Sequence, residues 1–156
     1  MDNKQNKSLL VILIVLGVII LGLVASIVAI NVINNQTSEE VTELVMNGEA
    51  TVEQVNQYIA EMDKKIDRAN SPQEKAELYS ERADYIVNYA IEWDNAELKD
   101  KTLSDVYKAE ELNPTAMTAY NISYYEGLFG DETKSKQYYE IAEKRGLNEE
   151  IKNTWK

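Results

Sequence analysis

Leu9 to Ile30 runs for 22 residues without a charged side chain, and Ser26 is its only polar one. At about 1.5 Å per residue, a helix of about 20 apolar residues matches a hydrocarbon core of about 30 Å, and a helix satisfies the backbone polar groups of a single span. The segment predicts a transmembrane helix, taken as 9–33, with an anchored domain after it. A cleavable signal peptide is the alternative. Its apolar region runs only about 7 to 15 residues, and the small residues that could form a cleavage site, Ala25, Ser26 and Ala29, lie inside the apolar run.

The flanking charges give the span a direction. Lys4 and Lys7 precede it, whereas no Lys or Arg follows until Lys64, and Glu39, Glu40, Glu43 and Glu49 occupy the interval. Positive charge is retained on the cytoplasmic side. The expected topology is a cytoplasmic tail over 1–8, one span of the plasma (inner) membrane, and an extracytoplasmic C-terminal domain. Gly22, Ala25, Ser26 and Ala29 give the span a small face, open either to close helix packing or to simple lipid contact.

Beyond the span about 120 residues remain, the size of one small domain. The chain has 27 acidic against 16 basic residues, a net charge of −11, and only Asp2, Lys4 and Lys7 of these precede the span. That balance excludes nucleic-acid binding, which needs a basic patch. Lys64, Lys65 and Arg68 are interleaved with Asp63 and Asp67, and are expected to coat a solvated helix face, with Glu61 and Lys65 at a supportive spacing. With no Cys and no His, disulfides, thiol chemistry, His-based catalysis and soft metal sites are all absent.

Past the span the pattern is helix after helix. Residues 34–38 form a polar linker and 39–70 a helical pair. Its first member runs from Glu39 to Met46 and stops at Gly48. Its second is capped by Thr51 and carries Val52, Val55, Ile59, Met62 and Ile66 at spacings of three and four. Ser71, Pro72 and Glu74 read as N-cap, N1 and N3 of a capping box. The helix they open places Tyr79, Ala83, Ile86, Ala90 and Trp93 on one face, and Asp94 and Asn95 break it. A further helix ends at Leu112, and Asn113 with Pro114 predicts the start of another that stops at Gly130. Asp131 caps the next, which Gly146 closes, and Asn148 can cap a last short helix with Ile151 and Trp155.

Within this series Ala119, Ile122, Ser123, Gly130, Asp131, Ser135, Tyr139 and Ala142 place small residues where two helices would cross and larger ones between. This segment resembles a tetratricopeptide repeat, with departures at Glu126, where an aromatic is usual, and Leu147, where Pro is usual. A looser copy, with Tyr79, Arg82, Ala83 and Ile86 in its first helix and Thr102, Val106, Ala109, Leu112 and Pro114 in its second, precedes it. Its extra residues around Ala90 to Ala96 must lengthen both helices or form a longer loop. The fold class is thus all-α, a single N-terminal transmembrane helix followed by a small tetratricopeptide-like stack of antiparallel helical hairpins. The repeat-like domain covers 71–156, as two repeats at about 73–114 and 115–147 plus a C-terminal helix. The pair at 39–70 would cap the array.

Paired acids such as Glu110 with Glu111, Asp63 with Asp67 and Glu149 with Glu150 are expected on exposed faces, where they cannot act as a catalytic dyad. No enzymatic activity, metal or cofactor is expected. The resemblance implies a concave groove lined by first helices, which nominates Glu77, Ser80, Asp84 and Asn88 from one repeat and Met117, Tyr120, Asn121 and Tyr124 from the next. Tyr120 and Tyr124 could instead pack between repeats. The family's cationic carboxylate clamp is missing at these positions, so a neutral to basic protein segment is the expected partner. The function expected is a membrane-anchored adaptor or accessory subunit. Alternatives are a self-associating scaffold, which is a homo-oligomer, and a mitochondrial-type receptor of opposite topology.

Overall fold

The computed structural model describes residues 37–148, which are all-helical apart from their turns. Six helices follow in order: α1 (Ser38–Asn47), α2 (Val52–Arg68), α3 (Pro72–Glu92), α4 (Ala96–Leu112), α5 (Ala116–Leu128) and α6 (Glu132–Lys144). From Val41 onward they belong to one compact unit. Among the described residues no helix is long and apolar enough to cross a membrane. The Leu9–Ile30 segment with its Gly22, Ala25, Ser26 and Ala29 face, and the short helix expected after Asn148, lie outside the described residues.

Each helix begins where a side-chain oxygen reaches its first free N–H groups. Thr51 and Gln54 close a reciprocal capping box at α2, and Asn95 accepts from Glu97 and Leu98 at α4. At α3 the Ser71 hydroxyl accepts from the Glu74 N–H and Pro72 stands at N1, but the Glu74 carboxylate reaches past Ser71 to the Asn70 N–H at 2.8 Å, so the box predicted there is displaced by one residue. The α5 start is corrected by two residues. Asn113 closes α4, and Thr115 caps α5 with Thr118 completing the box.

Helices α1, α3, α5 and α6 end alike, with paired backbone hydrogen bonds that reach back five and three residues. In α3 these run from Asn95 to Ala90 and from Asp94 to Ile91; in α5, from Asp131 to Glu126 and from Gly130 to Gly127. This is the Schellman arrangement, and it demands a left-handed residue after the cap. Gly130 supplies it at φ 96°, whereas Asp94 adopts φ 45° without being glycine.

Consecutive helices pack as hairpins, α3 on α4 and α5 on α6, and α4 and α5 join the two. The turns are equal in length, Trp93–Asn95 and Phe129–Asp131, so the extra residues of the first hairpin enter its helices. These are 21 and 17 residues long against 13 and 13 in the second. One apolar cluster joins Val41 and Val45 of α1 to Val55, Tyr58 and Met62 of α2 and to Ile86, Tyr89 and Ala90 of α3. A second gathers Ala83 and Val87 with Val106, Ile122 and Tyr125, and a third holds Ala119, Ala142 and Leu147. Val52, expected on the buried face of α2, is 50% exposed, because that face turns to bury Gln54 and Tyr58 instead.

Candidate functional site

Helices α3 and α5, the first members of their hairpins, form the walls of a groove of about 480 Å³. From α3 come Glu77, Ser80, Glu81, Asp84 and Tyr85, and from α5 Met117, Thr118 and Asn121. Spacings of three and four along each helix put these side chains on one face. The structure therefore brings together Glu77, Ser80, Asp84, Met117 and Asn121 from the residues nominated by sequence.

The other nominees lie elsewhere. Asn88 is exposed on α3 beyond the groove. Tyr120 turns away from the groove side of α5 and packs on the cluster of Ala119, Ala142 and Leu147. Tyr124 is 42% exposed, stands edge-on to the Tyr125 ring at 5.2 Å and lines a separate hollow with Gly127, Leu128 and Lys136. Helical geometry explains the position of Tyr120. Met117 and Asn121 are one turn apart on the α3-facing side, and Tyr120 is rotated from that side by about 100° relative to Asn121.

Glu81 and Tyr85 were not nominated, although Glu77, Glu81 and Asp84 recur at four and three residues, a signal of one shared face. All the charged residues lining the groove are carboxylates. Asp84 stays accessible to solvent, yet the crowded groove wall pushes its pKa above the usual carboxylate range, partly offset by the hydrogen bond it accepts from the Tyr125 hydroxyl. Burial and the nearby Asp84 charge in turn raise the pKa of Tyr125.

Behind this wall lies a charged cluster around Arg82, of which the sequence reading placed Asp63 on an exposed face. Arg82, 1% exposed, donates from Nε and Nη2 to both carboxylate oxygens of Asp105, at 2.7 and 2.8 Å, and from Nη1 to Asp63. Lys101 approaches Asp105 at 3.3 Å. Burial alone would depress the guanidinium, but its bonds to Asp105 and Asp63 raise its pKa above the usual value. Asp63 is thus an ion-pair partner, not merely solvated charge. The same correction holds for Glu110, which is only 15% exposed and takes hydrogen bonds from Arg145 and Thr118, both at 2.7 Å. Glu126, the departure from the repeat pattern, is buried and accepts from the Tyr107 hydroxyl at 2.6 Å and from Lys134 at 3.2 Å.

These inner charges are satisfied by one another, whereas the groove carboxylates face open space without a cation lining it. The arrangement can hold a positively charged chain by Coulomb attraction and hydrogen bonds. No family model matches the sequence, and neither a curated protein nor a solved structure matches it.

Proposed function

We propose that this chain is a single-span, N-in membrane protein whose tetratricopeptide-like helical domain is a protein-binding platform outside the cytoplasm, an adaptor or accessory subunit that works by binding. The observation that carries the reading is the groove between α3 and α5, with Glu77, Glu81 and Asp84 on one wall and Met117 and Asn121 on the other. Asn121 can bond a peptide backbone through its amide, and the charge of the groove selects a neutral to basic partner. The apolar Leu9–Ile30 segment and the lysines before it support the anchor and its orientation.

Photoreactive residues at Ser80 and Asn121 in the native membrane test the groove. A distinct partner should be trapped at both positions and lost when Glu77 and Asp84 are changed to Lys. Absence of any partner at both positions overturns the adaptor. Topology is checked separately: because the chain has no cysteine, a single Cys introduced at Glu97 should react with a membrane-impermeant maleimide added outside intact cells. Protection of that Cys would favour a cytosol-facing receptor.

Self-association draws on a different observation. Met117, Tyr124 and Leu128 are 46%, 42% and 42% exposed along α5. A dominant homodimer crosslinked through Tyr124, and lost on changing Gly22 and Ser26 to Leu, would favour the scaffold over the adaptor.

A further inference from the structure

Helices α2 and α4 both run beside α3 and pack on it, and between them the surface opens into a hollow of about 460 Å³. Val52 and Ile59 of α2, the Trp93 ring and Leu98 of α4 give it an apolar lining, and Glu97 and Asp100 stand at its α4 edge. The α3/α5 groove belongs to the first helices of the hairpins. This hollow belongs to second helices, and none of its lining residues lines the groove.

The core does not account for this apolar surface. Val55, Met62 and Ile66 fill the α2 side of the core at no more than 4% exposure, whereas Val52 is 50% exposed and Ile59 is half-buried. Val52 and Ile59 are seven residues apart, two turns along one face, so the apolar stripe of α2 is wider than the core it covers. Trp93 lies against the Tyr89 ring, with centroids 4.8 Å apart, and is itself half-buried. Apolar surface left wet and rimmed by polar groups marks a place where another molecule docks.

The rim charges define that molecule. The nearby lysines are committed: Lys101 lies 3.3 Å from Asp105 and 4.0 Å from Asp63, and Lys99 lies 2.5 Å from Asp94. Glu97 and Asp100, three residues apart on α4, are both exposed, and among the described residues no cation pairs with either. Two copies meeting face to face through the hollow would set these carboxylates against their own counterparts, and like charges so placed oppose binding. A basic partner meets them with opposite charge.

We propose that the hollow is a second docking surface, which takes an apolar side chain of a partner protein whose neighbouring residues are lysine or arginine. The apolar side chain fills the space against Val52, Ile59 and Trp93, and its basic neighbours reach Glu97 and Asp100. The surface is separate from the α3/α5 groove and does not depend on it.

Trp93 serves as the reporter. The chain has two tryptophans, so the full chain carrying Trp155→Phe, in phosphatidylcholine bicelles, leaves Trp93 as the only one. The probes are peptide libraries free of Trp and Tyr, fixed at a central Leu-Lys-Lys, Leu-Glu-Glu or Ser-Lys-Lys and degenerate elsewhere. The Leu-Lys-Lys library should move Trp93 emission to shorter wavelength and bind about tenfold more tightly than either of the others, and calorimetry on the chain without Trp155→Phe should give the same ranking. Val52→Ser, at an exposed position in the first turn of α2, should cut the affinity several-fold with the fold unchanged by circular dichroism. Glu97→Gln with Asp100→Asn should erase the preference over Leu-Glu-Glu. Asp84→Asn, in the other groove, should change neither. Equal responses to all three libraries, a response untouched by Val52→Ser, or no response at all would overturn the proposal. A shift on concentrating the protein alone, accompanied by a crosslinked dimer and lost in Val52→Ser, would overturn the basic partner in favour of a second copy.

Discussion

The α3/α4 and α5/α6 hairpins share one turn geometry, yet the middles of their crossings differ in chemistry; the short hairpin keeps its buried charge, Glu126 with Lys134, near the turn. In the longer hairpin Arg82 and Asp105 meet as a buried bidentate pair, with Asp63 of α2 as a third member. In the shorter one the crossing is made by Ser123 and Ser135, whose hydroxyl oxygens lie 3.5 Å apart, and by Ala119 and Ala142. Long helices supply enough surrounding apolar contact to carry a desolvated charge pair at their middle. Helices of 13 residues have fewer turns to spread a bulky contact over, so small side chains let the backbones come close. The difference teaches that a charge on a hairpin's inner face is tolerated only where its partner is fixed on the facing helix.

The sharpest way to break the comparison is Asp105→Ala, which takes the bidentate partner from the buried Arg82 guanidinium and leaves it Asp63 alone of its two carboxylates. Removing one member of a buried pair costs about 3–5 kcal/mol, and a urea melt should show it. The double change Arg82→Met with Asp105→Leu should recover most of that loss, since apolar replacement of both partners is often neutral. Failure to recover would mean that the pair holds register as well as charge.

In the shorter hairpin Ser123→Leu should be the damaging change, because it overpacks a tight crossing at about 1–3 kcal/mol. The turns offer a smaller and more direct contrast. Gly130→Asp recreates in the short hairpin what Asp94 does in the long one, and the left-handed conformation should cost about 1–2 kcal/mol. Asp94→Gly should gain less than Gly130→Asp loses, because it also gives up the bond from Lys99 to Asp94 at 2.5 Å. If the two changes are equal and opposite, that bond contributes nothing.

The smallest effect is set by pH in the groove wall. The folded pKa of Asp84 is raised above its ordinary 3.8. A carboxyl of this kind gives stability that is fully present below its unfolded pKa and lost as pH rises through the folded value. Asp84→Asn should therefore match the wild type in acid and become relatively more stable above the carboxylate range, by thermal melts at successive pH values. A gap that widens in acid instead would reverse the sign argued here.

The helix order was legible because its signals are local. Thr51, Ser71, Asn95 and Asp131 each cap the helix that follows by reaching only two or three residues along the chain. Asn113 misled for the same reason: a cap residue before Pro resembles a helix start, and only the Thr115–Thr118 pair two residues on reveals the true one. The groove's α3 wall was partly legible from spacing. The rotation of α5 against it was not, so Tyr120 was grouped with Asn121 although it packs on the Ala119 cluster, and Tyr124, two turns beyond Met117, lines a separate hollow. The Arg82 cluster depends on partners 19 and 23 residues away on other helices. A faint signal existed. Arg82 follows Tyr79 by three and precedes Ile86 by four, and Asp105 lies between Thr102 and Ala109 at similar steps, so opposite charges occupied the apolar stripes of consecutive helices.

The Tyr89 hydroxyl, already met in the core, has a mechanical meaning. It lies 3.2 Å from the Leu44 and Val45 carbonyls and accepts from the Ala50 N–H at 3.1 Å, bridging the end of α1 to α3. Helix α1 is only 10 residues long and buries just Val41 and Val45. Tension entering the domain at Ser38 meets this short helix first, held by Val41, Val45 and Leu44 in the core and by the Tyr89 hydroxyl at its end. That phenol divides a segment that can peel away under pull from the hairpins that keep their shape.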